Sequence, residues 1–380
     1  MSEIKVNSIK GVAASTAAIT VNNTDGTATA NLTNIGGGQL GNRNLVINGK
    51  QEVNQRNATV TSSGYVTDRW TFNEATDGAV SVSQVVDAPA GFYNSLKVDV
   101  TTADGSLAAT QNLHVFQNIE GTNIRHLNWG TANAKTVTIS FYVKTTKTGV
   151  YSVVLENSST DRCQVQDYTV SDTNWNKYSL TFTGDTSGTW LANNQKGIRL
   201  RFGLASGSTF TTGTTGSWLA DDMVGSTNMV NFMDNTNNDW YLTGCQLEIG
   251  TVATDFEHRS LSDELARCYR YFYMIVDGDQ QSICIGSQYS TNTAFGIVAL
   301  PVTMRATPSL YKVVGSAYFR LFSDGGYDQV SDIGLSSNGT QNGKTIQVEW
   351  IDNGVSTSGG KALVCRSNNA ACRVGFSSEL

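Results

Sequence analysis

Apolar residues in this chain fall on every second position, segment after segment. Leu96, Val98 and Val100 share one face, as do Val137, Ile139, Phe141 and Val143. Tyr178, Leu180 and Phe182 repeat the pattern, as do Ile198, Leu200, Phe202 and Leu204, and a last such strand runs from Trp240 to Ile249. A period of two means strands with one buried and one wet face, which is how antiparallel sheets are built. Gly, Asn, Asp and Ser bound each run. Many short strands with turns between them predict an all-β fold, an antiparallel β-sandwich of jelly-roll type over 45–257. After it the pattern resumes at 282–287, 293–300, 309–314, 317–322, 345–351 and 361–364, predicting a second, smaller β-sandwich over 277–380. Pro301 and Pro308 suit the ends of its strands, because proline cannot donate in a ladder.

One helix interrupts this, in a linker over 258–276. Ser260-Leu261-Ser262-Asp263 matches a capping box, and Asp263 and Glu264 precede Arg267 and Arg270 as the helix dipole prefers. Leu261, Leu265, Cys268, Phe272 and Ile275 step by four and three. That spacing fits a short seam between chains, a stripe laid on a neighbouring sheet, or a helix that stops near Arg270, since 271–276 is β-prone. Residues 1–44 carry few large side chains and predict an extended arm that orders on assembly. Asp25-Gly26 marks a hairpin within it and Gly36-Gly37-Gly38 a joint. Ile4, Val6, Ile9 and Ile19 are its candidate attachment residues.

Composition excludes several functions. Lys and Arg total 26 against 32 Asp and Glu, a net charge of −6, so no basic footprint for nucleic acid exists. Charged residues are 15% of the chain, below the ~25% of an ordinary soluble domain. No secretory signal is read at the start, and no apolar run approaches the ~18 residues of a span, so no membrane insertion is expected. The six cysteines are scattered, with no C-x-x-C pair and no histidine at zinc spacing. They read as buried thiols of a chain made in a reducing cytosol, with no metal site.

No catalytic residues are assigned. Nucleophile-elbow, zincin and P-loop motifs are missing, and the carboxylates stand singly in turns rather than as a glycosidase pair. His114 and His126 read as structural. A sugar-binding protein stacks pyranose rings on exposed aromatics. Tyr168, Trp175, Trp190 and Trp218 are of the right type in the first sandwich. Trp175 at a strand edge and Trp70 after a turn read rather as packing, and Trp190 and Trp218 are the favoured stacking residues. In the second sandwich the long Gly-, Asn- and Ser-rich loops at 323–327, 336–343 and 352–360 suit recognition, with Tyr327 and Trp350 as its aromatics. Asp221-Asp222 and Asp234 with Asp239 offer oxygen ligands for a structural calcium ion, the one cofactor considered. Glu257, His258 and Arg259, at a domain exit, read as hydrogen-bonded anchors.

Several stretches together resemble tail-fibre and other virion fibre proteins of marine tailed bacteriophages. SEIKVNSIKG from Ser2 is similar to their N-terminal attachment segments. NLVINGKQEVNQRN from Asn44, YVTDRW from Tyr65, Trp175 with NKYSLTFTGDTSGTW, RLRFGLASGS from Arg199 and QLEIGTVATDFEHRS from Gln246 resemble their carbohydrate-binding-module-like jelly roll. EHRSLSDELARCYRYFY from Glu257 resembles the junction to a distal domain, and LPVTMRATP from Leu300 the turn that follows. The resemblance implies a non-enzymatic virion structural protein, a homotrimeric fibre docked by its arm on phage tail or capsid proteins. Its distal domain would meet a host surface glycan, three weak sites acting together. A capsid fibre or decoration protein, or a soluble carbohydrate-binding module, are the alternatives.

Overall fold

The computed structural model describes residues 41–290, 292–323, 326–337, 342–351 and 360–380, together with 8–9, 19–21, 24 and 28–30. Ile4, Val6, Asp25-Gly26, the three glycines at 36–38 and most of the distal loop tips lie outside the described residues. Three short antiparallel strands, Ser8–Ile9, Ile19–Val21 and Ala28–Ala30, form a small sheet, so the segments flanking Asp25-Gly26 do pair.

The first body is a two-sheet sandwich. Its strands are β1 (Gly64–Tyr65), β2 (Thr71–Ala75), β3 (Ala79–Val85), β4 (Ser95–Thr102), β5 (Asn112–Glu120), β6 (Val137–Thr145), β7 (Gly149–Glu156), β8 (Cys163–Val170), β9 (Asn176–Phe182), β10 (Lys196–Ser206), β11 (Trp218–Leu219) and β12 (Asp239–Ile249). One sheet has the order β11-β8-β7-β10-β5-β2-β1, the other β9-β6-β12-β4-β3. The pairs within both sheets are antiparallel. The alternation read from sequence is the reason they close on each other. Leu96, Val98, Phe141, Val143 and Leu242 from one sheet meet Val115, Val153, Leu200 and Phe202 from the other in one buried cluster. Phe141 and Phe202 touch edge to face across the sheets at 5.1 Å. Side chains of this size contribute ~1.5–3 kcal/mol each when fully buried.

The helix, α1 (Leu261–Tyr269), begins where the capping residues place it, with Ser260 Oγ accepting from the Asp263 N–H at 3.2 Å. It stops at Tyr269. Phe272–Asp277 is strand β13, paired with Arg373–Ser377, so the linker is helical over only nine residues. The β-prone run after Arg270 wins because it gains a ladder partner. This corrects the interchain seam: Leu261 is exposed, Cys268 packs with Ile47, Val53 and Tyr271, and Phe272 and Ile275 lie on a strand.

The second body holds β14 (Ser282–Ser290), β15 (Thr293–Ala299), β16 (Ser309–Val313), β17 (Phe319–Ser323), β18 (Gly326–Val330), β19 (Gly334–Leu335), β20 (Thr345–Ile351), β21 (Ala362–Ser367) and β22 (Arg373–Ser377). A three-stranded sheet, β13-β22-β16, faces a curled one ordered β18-β17-β21-β14-β15-β20-β19 over a single core. Pro301 and Pro308 fall between β15 and β16, outside both strands.

A polar network fastens the two bodies. Glu120, buried at the end of β5, accepts from Arg270 Nε and Nη2 at 2.8 and 2.6 Å and from the Tyr271 hydroxyl at 2.7 Å. Arg69 pairs with Glu379 and lies 3.6 Å from the Tyr271 ring centre, and Asn118 Nδ2 donates to Leu380 O at 2.7 Å. Glu257 accepts the N–H groups of Arg43 and Asn44, while Arg259 donates to the carbonyls of Asn44 and Val46. Glu257 and Arg259 are hydrogen-bonded anchors, whereas His258 packs against Phe92 and Phe256, and the second body covers the β5 end that carries Asn118 and Glu120.

Candidate functional site

The rest of that outer face stays open. On β5 the side chains alternate: Leu113, Val115 and Ile119 enter the core, and Asn112, His114 and Phe116 point away from it. Register then fixes their neighbours. Phe116 stands opposite Thr71 and Arg201, His114 opposite Asn73 and Gly203, and Asn118 opposite Arg199. The segment after β10 returns over this face. Gly203 permits the return, because a Cβ there would lie 2.3 Å from the Val224 carbonyl oxygen. The result is a cavity of about 270 Å³ whose floor is the polar side chains of Asn73, Asn112, His114, Arg199 and Arg201 with the ring of Phe116 among them. Phe210, Asp222 and Val224 form its wall.

The floor is organised. Asn112 Oδ1 accepts from Asn73 Nδ2 at 3.0 Å and lies 3.0 Å from His114 Nδ1. An oxygen there requires the Nδ1–H tautomer of a neutral imidazole, which leaves Nε2 as an acceptor. Burial, reinforced by Arg201 and Arg199, holds the His114 pKa well below the ordinary histidine range, so the ring is neutral at pH 7. Arg201 is buried and neutralised, donating to Glu156 Oε2 at 2.6 Å, Asp222 Oδ1 at 2.9 Å and the Met223 carbonyl at 2.6 Å. Its Nε finds no hydrogen-bond partner among the described residues.

Arg199 differs. Its Nε donates to Asn118 Oδ1 at 3.0 Å and its guanidinium stacks 4.7 Å from the Phe116 ring centre. Its nearest carboxylate, Glu156, is 3.8 Å away. Burial lowers its pKa, opposed by Glu156, and the group remains a cation at neutral pH. Its two Nη groups make no hydrogen bond among the described residues. The cavity thus presents a cationic donor fork, a neutral imidazole acceptor and an amide, next to the half-exposed ring of Phe210.

A larger cleft of about 540 Å³ lies beside α1, lined by Asn42, Arg259, Asp263, Arg267, Arg270 and Thr303. Its arginines are committed: Arg259 to Glu257, Arg267 to Asn42 and Arg270 to Glu120. It belongs to the joint between the bodies.

No protein-family model and no curated protein matches the sequence. Among solved structures the chain is similar to the enzymatically active domain of tailspike protein 4 from bacteriophage CBA120. The identity is 14% over 54% of this chain and 21% of that one, with a TM-score of 0.30. It is also similar to a CBM4 structure, at 14% identity over 53% of this chain and 97% of that one, TM-score 0.30. A third is the family 11 carbohydrate-binding module of a cellulosomal cellulase from Clostridium thermocellum, at 14% identity, 53% and 98% coverage and TM-score 0.27. The chain spans about a fifth of the length of the tailspike fragment. None of these likenesses assigns a ligand to this chain.

The aromatics singled out from sequence lie elsewhere. Trp190 and Trp218 pack edge to face with Trp129, at 4.6 and 5.3 Å, and close the margin of the core. Their indole N–H groups are committed to Asp185 and to the Thr183 carbonyl. Tyr168 is buried in the core, and Trp175 donates to Asp87. Trp350 is corrected: it is 0% exposed inside the second core, so no surface ligand can reach its ring. Tyr327 is 50% exposed on β18, beside Phe322 and under Arg320. Of the four acidic residues considered for calcium, three are engaged with cations, Asp222 with Arg201, Asp234 with Lys147 and Asp239 with Lys97, while Asp221 accepts the Asp222 N–H. Ile9 and Ile19 pair in the small N-terminal sheet.

His114 was legible as a residue but not as a lining group. The missed signal is in β10, where Arg199 and Arg201 alternate with Ile198, Leu200 and Phe202. Two arginines on the wet face of a strand in a chain this poor in charge mark a face with a task.

Proposed function

We propose that this chain is a non-catalytic, glycan-binding structural protein of a virion fibre, and that the cavity between Arg199 and Phe210 is its sugar site. The observation that carries this is the set of polar groups on the cavity floor that make no hydrogen bond among the described residues: the Arg199 Nη donors and His114 Nε2. Such groups, fixed on strands and set beside an aromatic ring, match the needs of a hydroxyl-rich ring with one apolar face. The volume suits one sugar unit, since it lies just under the ~300–1,000 Å³ usual for drug-sized ligands. Arg199, a cation whose Nη groups make no hydrogen bond among the described residues, favours a sugar that carries a carboxylate or sulfate.

Two carboxylates stand beside the cavity's arginines: Glu156 and Asp222 are both salt-bridged to Arg201, and Glu156 lies 3.8 Å from Arg199 as well. Glu156 is fully buried, and Asp222 on the cavity wall is held by Arg201, an arrangement that fits binding without turnover. The fibre part of the reading rests on the resemblance from Asn44 to Pro308. Attachment through the N-terminal arm and a homotrimer are its further parts.

Titration calorimetry of the purified chain with uronic-acid and sulfated oligosaccharides, and with neutral ones, tests the site. Binding that drops at least ten-fold in both Arg199→Ala and Phe210→Ala supports it. Binding that ignores both substitutions refutes it. Light scattering tests the fibre: a mass of three chains is expected, and a monomer argues for a soluble sugar-binding module.

A further inference from the structure

Four of the six cysteines, Cys163, Cys245, Cys268 and Cys372, are buried apart from one another in different parts of the fold. The other two are paired by register. On the curled sheet of the second body, Cys284 of β14 stands directly opposite Cys365 of β21, followed by Ile285 opposite Val364 and Gly286 opposite Leu363. Directly opposed residues of antiparallel strands have Cα atoms ~4.5 or ~5.5 Å apart. Both spacings fall inside the ~4.4–6.8 Å that a disulfide spans.

The side chains also point the same way. Cys365 alternates with exposed Val364 and lies buried, in line with Leu363 and Ser367. Cys284 alternates with exposed Ile285 and lies half-buried on the same inner face. The Cys284 thiol, together with burial, pushes the Cys365 thiol above the ordinary cysteine range. The neighbouring strand keeps room for them: a Cβ on Gly296 would sit 2.2 Å from Cys284 Sγ.

We propose that Cys284 and Cys365 form a reversible cross-strand disulfide that latches the second body. A disulfide-class oxidant such as oxidised glutathione supplies the chemistry. Cys284, the more accessible thiol, loses its proton and attacks one sulfur of the oxidant, expelling one small thiolate. Cys365, deprotonated in turn, attacks Cys284 Sγ and expels the second. Two protein thiols lose two electrons and two protons, and the oxidant becomes two thiols. The bond joins strands roughly 80 residues apart, a loop long enough to constrain the unfolded chain strongly. This inference is independent of the sugar site. It gives a protein that folds with free thiols in a reducing compartment and stiffens once outside it.

The test uses the full chain, kept reduced or treated with excess oxidised glutathione, then denatured, alkylated with iodoacetamide and weighed intact. All six thiols react in the reduced sample. Four should react after oxidation, with a tryptic peptide pair joining Cys284 to Cys365 and with no glutathione retained. The latched form should melt on the order of 10 °C above the reduced form, and Cys284→Ser should abolish that difference. Six reactive thiols in both samples, a bond between any other pair, or glutathione left on either residue would overturn the proposal. If Cys284→Ser folds poorly, the wild-type thiol count and peptide map decide alone.

Discussion

Replacing Glu120 by Gln tests how the two bodies are held. Glu120 is fully buried, and its two oxygens accept from Arg270, Tyr271 and Thr122. Burial raises its pKa, but these donors outweigh burial and hold it at about 2. In the unfolded chain it titrates near ~4.3. A carboxylate depressed on folding contributes stability above its unfolded pKa, and that stability is lost as pH falls toward the folded value. At ~1.4 kcal/mol per unit the shift is worth about 3 kcal/mol at neutral pH. The partner Arg270 is about a third exposed, which brings the expectation to roughly 2–3 kcal/mol. Urea unfolding followed by tryptophan fluorescence at pH 7 and pH 3 measures it. Glu120→Gln should be less stable by roughly 2–3 kcal/mol at pH 7, and the gap should shrink by more than half at pH 3. A gap of equal size at both pH values, or none at pH 7, would refute the ion-pair account of the joint.

Asp68 acts in the opposite direction: burial raises its pKa to about 6, so its contribution is present below ~4 and is lost as pH rises toward 6. Asp68→Asn should flatten the fall in stability across that window, as read by melting temperature between pH 4 and pH 7. Trp350→Ala should cost ~3–5 kcal/mol in the second body while leaving sugar affinity unchanged in calorimetry. Gly203→Ala should weaken binding, because the segment carrying Val224 and Phe210 must move off the cavity floor.

Much of the fold was legible because burial on one face writes itself into the sequence at period two. Ile198 to Leu204 and Val137 to Val143 are core strands for that reason. The same rule, applied to Ile346, Val348 and Trp350, places the tryptophan inside with its neighbours. It was read as a loop aromatic because of the polar segment after it. The helix start was legible from Ser260, whose role is local. Its end was legible as one of three readings, from the β-prone run after Arg270, and pairing of Phe272–Asp277 with residues about a hundred positions later decides among them. The cavity was hidden for the same reason. Phe116, Arg199 and Arg201 meet through register, and neither β5 nor β10 alone says which strand lies beside it.

The most direct test of the central claim is a crystal structure of the chain with an acidic oligosaccharide. The account predicts a sugar ring against Phe210, its acidic group on the Arg199 Nη atoms and a hydroxyl on His114 Nε2. A sugar seated on Trp190 and Trp218, or on Tyr327, with an empty cavity between Arg199 and Phe210, would contradict it.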